Sequence, residues 1–357
     1  MRIHEKPSTA WLTLNRSCNL RCKWCYAQDT DYCAKNDMKL EDAFKAIDII
    51  KELGTIKTVV LIGGEPTIYK NVFKVIEYAK GKGLRTVLVT NGVALQNPDM
   101  VQKFIDAGLS SVNLSLKGSS DEQYLQETGV PAYSKAIEGI KNLSKAGINF
   151  AVSYVVSNEN VNHLYETLKE FDKFSNGTKT YLLSFCGPYF ENNEIKDIGT
   201  KPVVLANEFA KQCELIIKDN INFNIHCTLP LCIFPKGFIE KLIQRNQIST
   251  MCHLQNRSGI IFDTNLNLLL CNALFDYPFA TYGKDYTDTK SLLKFLNSEE
   301  TLNKFQELLK VPSDTCVNCE KFPICAGGCV IQWFKYKFDD LIKEKERLNN
   351  GKITQDA

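Results

Sequence analysis

Short apolar runs alternate with longer amphipathic stretches over the first half of the chain. The apolar runs are rich in β-branched residues and occupy 59–62, 87–89, 112–116 and 150–156. Amphipathic stretches of helical periodicity lie near 72–82, 99–107 and 133–146, and Gly83, Gly108 and Gly147 follow them where helix C-caps are expected. With further strands at Ala10–Asn15 and Lys179–Phe185, this βα repeat predicts an α/β fold, a partial (β/α)6 barrel over residues 1–220.

The rhythm changes after about Asn220. A strand-like stretch at Asn222–His226 leads into a segment with Pro and Cys, then a predicted hairpin at Gly259–Cys271 and several cysteines. We expect a smaller Cys-rich domain over 221–349 that ends in a charged helix from about Phe334 to Asn349. Residues 350–357 form a polar tail.

Composition and charge exclude several classes of partner. The net charge of +2 over 357 residues gives no basic surface for nucleic acid or an anionic membrane. No apolar run has the length of a signal peptide or membrane span, so we expect a cytoplasmic protein. Fourteen cysteines in so large a chain therefore indicate metal binding rather than disulfides.

Three of these cysteines, Cys18, Cys22 and Cys25, directly follow the first predicted strand. The C-terminal ends of barrel strands are where chemistry gathers. Three thiolates do not complete a tetrahedral zinc site, and no His lies nearby in the sequence. A [4Fe–4S] cluster normally takes four thiolates, so three leave one iron open for a substrate or cofactor. From the spacing alone a zinc knuckle remains an alternative, and Cys33 is interpreted as a spare thiol.

The spacing C-x3-C-x2-C, with Trp24 before the last Cys, resembles the signature of the radical S-adenosylmethionine (SAM) superfamily. Further motifs follow at predicted strand ends in the order found in that family, and the resemblance covers about the first 220 residues. They are Gly63-Gly64-Glu65-Pro66, Thr90-Asn91-Gly92, Ser115-Leu116-Lys117-Gly118 and the strand that contains Ser153. Taken alone, Gly-Gly-Glu-Pro also fits a simple strand-to-helix turn.

The resemblance implies a role for each motif. SAM would chelate the open iron of a cluster held by Cys18, Cys22 and Cys25, and one electron would cleave it to a 5′-deoxyadenosyl radical. The Gly-Gly-Glu-Pro motif would contact the SAM amino group, because glycines allow close backbone approach and a carboxylate suits an ammonium. Residues Asn91, Ser115, Lys117 and Ser153 would hold its ribose, carboxylate and adenine. Many relatives have Asp where this chain has Lys117, whose ammonium is expected to pair with the SAM carboxylate.

A second group of cysteines has the spacing C-x2-C-x5-C-x3-C and comprises Cys316, Cys319, Cys325 and Cys329. With Cys252 and Cys271, which flank the predicted hairpin, it resembles the SPASM domain, implying one or two auxiliary [4Fe–4S] clusters. A four-thiolate zinc site on the last four cysteines is the structural alternative.

The pattern departs from that domain. Leu266 replaces the usual Gly, and no Cys follows Cys329. Cys232 or Cys227 is a candidate for the missing ligand, and an open iron or an absent cluster is the other alternative. Cys186 and Cys213 are interpreted as buried apolar side chains.

The resemblance implies a radical SAM oxidoreductase that modifies a ribosomally made peptide by cross-linking, oxidation or epimerisation. Flavodoxin or ferredoxin would supply electrons. Sulfatase-maturing relatives carry a catalytic Asp after the hairpin cysteine, and Asn272 at this position counts against that activity. A small-molecule dehydrogenase or decarboxylase and a non-catalytic iron–sulfur protein are further alternatives, although a plain electron carrier needs no SAM motifs.

Overall fold

A computed structural model describes residues 6–27, 37–174, 180–250, 252–309 and 311–349. Cys33 and the predicted tail at 350–357 lie outside the described residues. The strands are β1 Thr9–Thr13, β2 Thr58–Ile62, β3 Arg85–Thr90, β4 Ser111–Leu116, β5 Phe150–Val156, β6 Tyr181–Phe185, β7 Tyr189–Glu191, β8 Glu194–Lys196, β9 Phe223–His226, β10 Ile248–Ser249, β11 Gly259–Phe262 and β12 Leu268–Leu269. The helices are α1 Leu40–Leu53, α2 Val72–Gly81, α3 Pro98–Ala107, α4 Asp121–Thr128, α5 Tyr133–Ala146, α6 Leu164–Asp172, α7 Pro202–Lys218, α8 Phe238–Gln244, α9 His253–Asn256, α10 Thr289–Leu296, α11 Glu299–Leu308, α12 Phe322–Cys325 and α13 Phe338–Asn349.

Ten strands form one open sheet in the order β10-β9-β6-β5-β4-β3-β2-β1-β11-β12. The strand pairs from β10 to β11 are parallel, and only β11 and β12 are antiparallel. The predicted α/β fold with a parallel sheet is therefore confirmed. The β7–β8 hairpin stands apart as a second, two-stranded sheet.

The predicted boundary at residue 220 is not a boundary of the sheet. The six expected strands, β1–β6, would leave β1 and β6 at the two edges of the sheet. An edge strand presents N–H and C=O groups with which another strand can pair. Here β9 adds beside β6, and β11 adds beside β1. The Cys-rich part of the chain thus continues the barrel sheet at both edges.

The local sequence explains where the helices begin and end. The Asn97 side chain accepts a hydrogen bond from the Asp99 N–H at 3.0 Å and caps α3, which ends at Gly108 in the left-handed region at φ +90°. Gly147 ends α5 in the same region at φ +69°, because glycine adopts positive φ without a Cβ clash.

The predicted hairpin is confirmed as β11 and β12, with Phe262 opposite Leu268. Leu266, which stands where the related domain has Gly, keeps a left-handed φ of +65° in the turn and is buried. The packed side chain offsets the cost of about 1 kcal/mol for a left-handed non-glycine residue. The predicted charged helix begins later than expected, since residues 330–334 form a 3-10 turn and α13 begins at Phe338.

Hydrogen bonds connect residues 326–329, which include the last cysteine, to the earlier residues Thr228 and Gln255. The Cys329 N–H donates to the Thr228 carbonyl oxygen at 2.7 Å. The Gln255 side chain donates to the carbonyl oxygens of Ala326 and Gly328, both at 2.9 Å. No helix in the described ranges has the length and apolar character needed to cross a membrane.

Candidate functional site

The first cysteine loop is held by the end of β2. The Gly64 N–H donates to the Asn15 carbonyl oxygen at 2.9 Å, and the Glu65 N–H donates to the Ser17 carbonyl oxygen at 2.8 Å. A Cβ at position 64 would lie 2.3 Å from the Ser17 oxygen, and one at 63 would lie 2.2 Å from the Asn15 side-chain oxygen. The two glycines are therefore required for close approach to the segment that leads into Cys18.

All three cysteines of this loop line one cleft. Burial raises the pKa of Cys18 to about 11 and also raises the pKa values of Cys22 and Cys25. Each thiol additionally raises the pKa of another, while the Lys117 ammonium lowers the pKa of all three. The thiols are thus protonated at neutral pH, and binding of a metal to them would release their protons.

The Glu65 carboxylate makes several hydrogen bonds within the protein. This buried carboxylate accepts from the Thr90 hydroxyl at 2.6 Å, from the Asn91 N–H at 2.8 Å, and from the Thr67 N–H and hydroxyl at 3.1 and 2.7 Å. The carboxylate therefore links the ends of β2 and β3, whereas the sequence suggested that it faces an ammonium. Burial raises the pKa of Glu65, and these hydrogen bonds act in the opposite direction.

Other expected SAM contacts fall into two groups. Asn91, Ser115 and Lys117 line the same cleft as the thiols. The Asn91 amide donates to the Asn19 side chain in the cysteine loop at 2.7 Å, and the Lys117 ammonium donates to the Ser115 hydroxyl at 2.6 Å. Ser153 lies within β5 but does not line the cleft, where Val155 stands instead. Pro66 is buried in the turn 66–68 that follows β2.

The cleft has about 1600 Å³ of open space between the strand ends and the Cys-rich part. Its far wall comprises Thr228, Cys271, Asn272, Cys329 and Gln332. Burial raises the pKa of Tyr26, and thiols on both walls, Cys25 and Cys271, raise it further. Tyr26 lines the same cleft.

The later cysteines divide into two sets. Burial raises the pKa of Cys329 to about 12, and the nearby thiols of Cys271 and Cys252 contribute to that rise. A separate cavity is lined by Cys232, Cys316, Cys319 and Cys325. The zinc alternative on the last four cysteines requires them to converge, but Cys329 lies with the other set. Within the described ranges, no group of three or more His, Cys, Asp or Glu side chains could hold a single metal ion.

Several cleft residues had no part in the sequence-based site. Cys186, which we expected to be an inert core residue, is buried but lines the cleft directly after β6. Its place at a strand end was a signal available in the sequence. Gln332 and His226 also line the cleft, and no motif marked them.

The model of the radical SAM superfamily matches residues 12–171. This part of the chain, residues 12–171, therefore belongs to the radical SAM superfamily. Among curated relatives, "Fe-coproporphyrin III synthase" of Methanosarcina barkeri (strain Fusaro / DSM 804) is 32% identical over 159 residues, which is 44% of this chain and 39% of that protein. The chain thus spans less than half of that relative's length.

Two solved radical SAM structures are similar over both halves of the chain. Streptococcus suis SuiB bound to its precursor peptide SuiA has a TM-score of 0.70 at 17% identity, covering 94% of this chain and 74% of SuiB. Native anSMEcpe with bound AdoMet and the Cp18Cys peptide has a TM-score of 0.67 at 18% identity, covering 96% and 99%. At this identity the likeness establishes the fold, which includes the Cys-rich part.

Proposed function

We propose that this chain is a radical SAM enzyme that modifies a peptide. Cys18, Cys22 and Cys25 would hold a [4Fe–4S] cluster, and SAM would occupy the part of the cleft next to them. When bound and reduced, the cluster and SAM supply a 5′-deoxyadenosyl radical that takes a hydrogen atom from the substrate. The buried Glu65 carboxylate links the ends of β2 and β3, and the Glu65 N–H holds the segment before Cys18.

The charge of the cleft carries the proposal. Among the described residues that line it, Lys117 is the one Lys or Arg, Glu65 is the one Asp or Glu, and the rest are mostly apolar or neutral polar. A tetrapyrrole with several carboxylates or a nucleoside triphosphate requires more cationic partners. An extended peptide needs apolar walls and neutral hydrogen-bonding groups, which this cleft offers. The solved structures with bound SuiA and Cp18Cys peptides support the same substrate class by analogy.

Specific residues would bind SAM. Lys117 would pair with its carboxylate, and Asn91 and Ser115 would contact the ribose and methionine parts. The backbone of Gly63-Gly64-Glu65 would serve the amino group, because the Glu65 carboxylate is already satisfied by Thr67, Thr90 and Asn91. Ser153 lies opposite Ser115 in the pairing of β4 with β5 and does not line the cleft, so it would act on SAM through its neighbours.

We further propose that the Cys-rich part holds one or two auxiliary [4Fe–4S] clusters, and that flavodoxin or ferredoxin delivers electrons. An oxidative reaction removes a second electron from the substrate, which an auxiliary cluster would accept. Asn272 lines the cleft next to Cys271, and an amide does not act as the proton acceptor that sulfatase maturation uses at this position.

The experiment starts with anaerobically reconstituted protein, a strong reductant and SAM. We expect 5′-deoxyadenosine from the wild type and none from the Cys18→Ala/Cys22→Ala/Cys25→Ala variant. Deuterated candidate peptides from the gene neighbourhood should then transfer deuterium into 5′-deoxyadenosine. Transfer from an iron-coproporphyrin instead would favour the second candidate, tetrapyrrole modification, which the curated relative suggests by its name.

A further inference from the structure

We propose that seven of the eight cysteines in residues 221–349 form one closed and one open site. Cys232 completes a four-thiolate site, here the distal set, with Cys316, Cys319 and Cys325. The inner set, Cys252, Cys271 and Cys329, provides three thiolates and leaves one iron position open to the cleft, where a thiolate or imidazole of the peptide would bind. The inference rests on the proposed function, since it assigns thiols to the auxiliary clusters proposed there.

The distal set surrounds one cavity. Cys232, Cys316, Cys319 and Cys325 all line a space of about 1170 Å³ beneath α13, whereas Cys329 does not. The Leu231 N–H donates to the Cys325 sulfur at 3.3 Å, which places the adjacent Cys232 at the same cavity. A cluster binds each thiolate to a different iron and so spaces its ligands further apart than a single ion does. A roomy cavity with four thiols at its rim therefore fits a cluster.

The segment that carries Cys232 is held from the C-terminal side. Lys345 on α13 donates to the carbonyl oxygens of Cys232 and Phe234 at 2.6 and 3.0 Å. These bonds fix the turn at 231–233 against the helix that covers the cavity. A ligand from this upstream turn replaces the cysteine that the SPASM pattern has after Cys329 and that this sequence lacks.

Cys227 is the competing candidate, because the Cys325 thiol contributes to raising its pKa, but its surroundings favour Cys232. The side chain lies in the hydrophobic core, and its thiol donates to the Leu229 carbonyl oxygen at 3.4 Å. It does not line the distal cavity. Because Cys227 precedes the same turn as Cys232, it provides a matched control.

The inner set faces the substrate. Cys271 and Cys329 line the cleft. Cys186 lines it too, but the groups that act on its thiol are Asp197 and Thr200 rather than the inner thiols. Cys252 packs in one hydrophobic cluster with Leu270 and Val330, the chain neighbours of Cys271 and Cys329, so these three cysteines form the inner set.

Polar atoms beside the inner set have no partner of their own. The Gln332 amide nitrogen donates to the Thr228 carbonyl oxygen at 2.7 Å, which turns the amide oxygen the other way. That oxygen, the Asn272 amide oxygen and the Thr228 hydroxyl are buried and lack hydrogen-bond partners among the described residues. All three residues line the cleft, and the Gln332 side chain is 1% exposed. An unsatisfied buried polar atom costs about 1–3 kcal/mol, so a ligand with N–H groups is stabilised beside the open iron position.

The test uses the reconstituted full-length protein and counts clusters that lose an iron on mild oxidation with ferricyanide. An iron without a thiolate ligand is released first, leaving a three-iron cluster with a distinct electron paramagnetic resonance signal. We expect two such clusters per chain in the wild type, from the first loop and the inner set. Cys232→Ser should give three such clusters per chain, or the variant should bind about four fewer irons. Cys227→Ser should match the wild type.

Two further arms separate the proposals. Adding the Cys18→Ala/Cys22→Ala/Cys25→Ala changes to the wild type and to each variant should lower the number of labile clusters per chain by one. If only this decrease is missing, the first-loop cluster is rejected. In that variant, imidazole should shift the spectrum of the reduced inner cluster, because it binds the open iron. Any of four results would overturn the inference. They are a Cys232→Ser protein identical to the wild type, a Cys227→Ser protein that gains a labile cluster, stoichiometric zinc in place of iron, and no shift of the spectrum with imidazole.

Discussion

Replacing Gly64 by Ala probes the contact that positions the cysteine loop. The added Cβ would lie 2.3 Å from the Ser17 carbonyl oxygen and 2.4 Å from the Arg16 carbonyl oxygen. Optimal contact is about 3.5 Å, so the backbone at 16–17 must move by about 1 Å. This shift weakens the 2.8 Å hydrogen bond from the Glu65 N–H to Ser17. Overpacking costs about 1–3 kcal/mol and the bond about 1 kcal/mol. We expect the free energy of unfolding to fall by about 3 kcal/mol.

The assay is urea unfolding of the metal-free protein under anaerobic reducing conditions, followed by circular dichroism. Gly81→Ala is the matched control, because Gly81 is the last residue of α2 and its added Cβ meets nothing within 4 Å. That variant should gain about 0.5–1 kcal/mol from reduced chain entropy. After reconstitution with iron and sulfide, the Gly64→Ala protein should also contain less iron than the wild type, because its first cysteine loop is displaced. A Gly64→Ala protein with wild-type stability and iron content would refute the reasoning.

Three further variants test separate contacts. Glu65→Gln places an amide N–H against one of four donors and should lower the unfolding free energy by about 2 kcal/mol, while exposed Glu77→Gln should change it by less than about 0.5 kcal/mol. Since burial raises the pKa of Glu65, the wild type should lose stability as the pH rises from the ordinary value of 4.5 towards the raised one, and Glu65→Gln should lack that component; equal pH profiles contradict it. Lys117→Met should weaken equilibrium SAM binding about tenfold, and unchanged affinity would remove Lys117 from the site. Gln255→Leu leaves two carbonyl oxygens of the Cys-rich part without their donor and should cost about 2–4 kcal/mol in urea unfolding; a change below 1 kcal/mol would show that water replaces it.

The local pattern was sufficient for the elements and for the family. The alternation of apolar runs with amphipathic stretches predicted β1–β6, and the glycines that end helices were visible in the sequence because positive φ favours them. The motif from Cys18 to Cys25 and its order relative to Gly63-Gly64-Glu65-Pro66 were equally local. Such features depend on neighbours in sequence, which is why they can be read without a structure.

Other features depend on long-range contacts. Nothing near Asn220 signals that β9 and β11 pair with the two edges of the same sheet, since pairing depends on which edge is free. The motif that contains Glu65 suggested an ammonium partner for its carboxylate. Within the protein, the hydrogen-bond donors to this carboxylate are Thr67 in the following turn and Thr90 and Asn91 at the end of β3.

The sequence by itself determined which cysteines are candidate metal ligands, and tertiary structure decided how they are grouped. Spacing placed Cys329 with Cys316, Cys319 and Cys325, because it measures distance along the chain. The fold separates it from them: the Cys329 N–H is bound to Thr228, and its thiol lies beside those of Cys252 and Cys271. Proximity of thiols distant in sequence depends on how the sheet edges and the Cys-rich part close around the cleft, and that packing is a property of the whole chain.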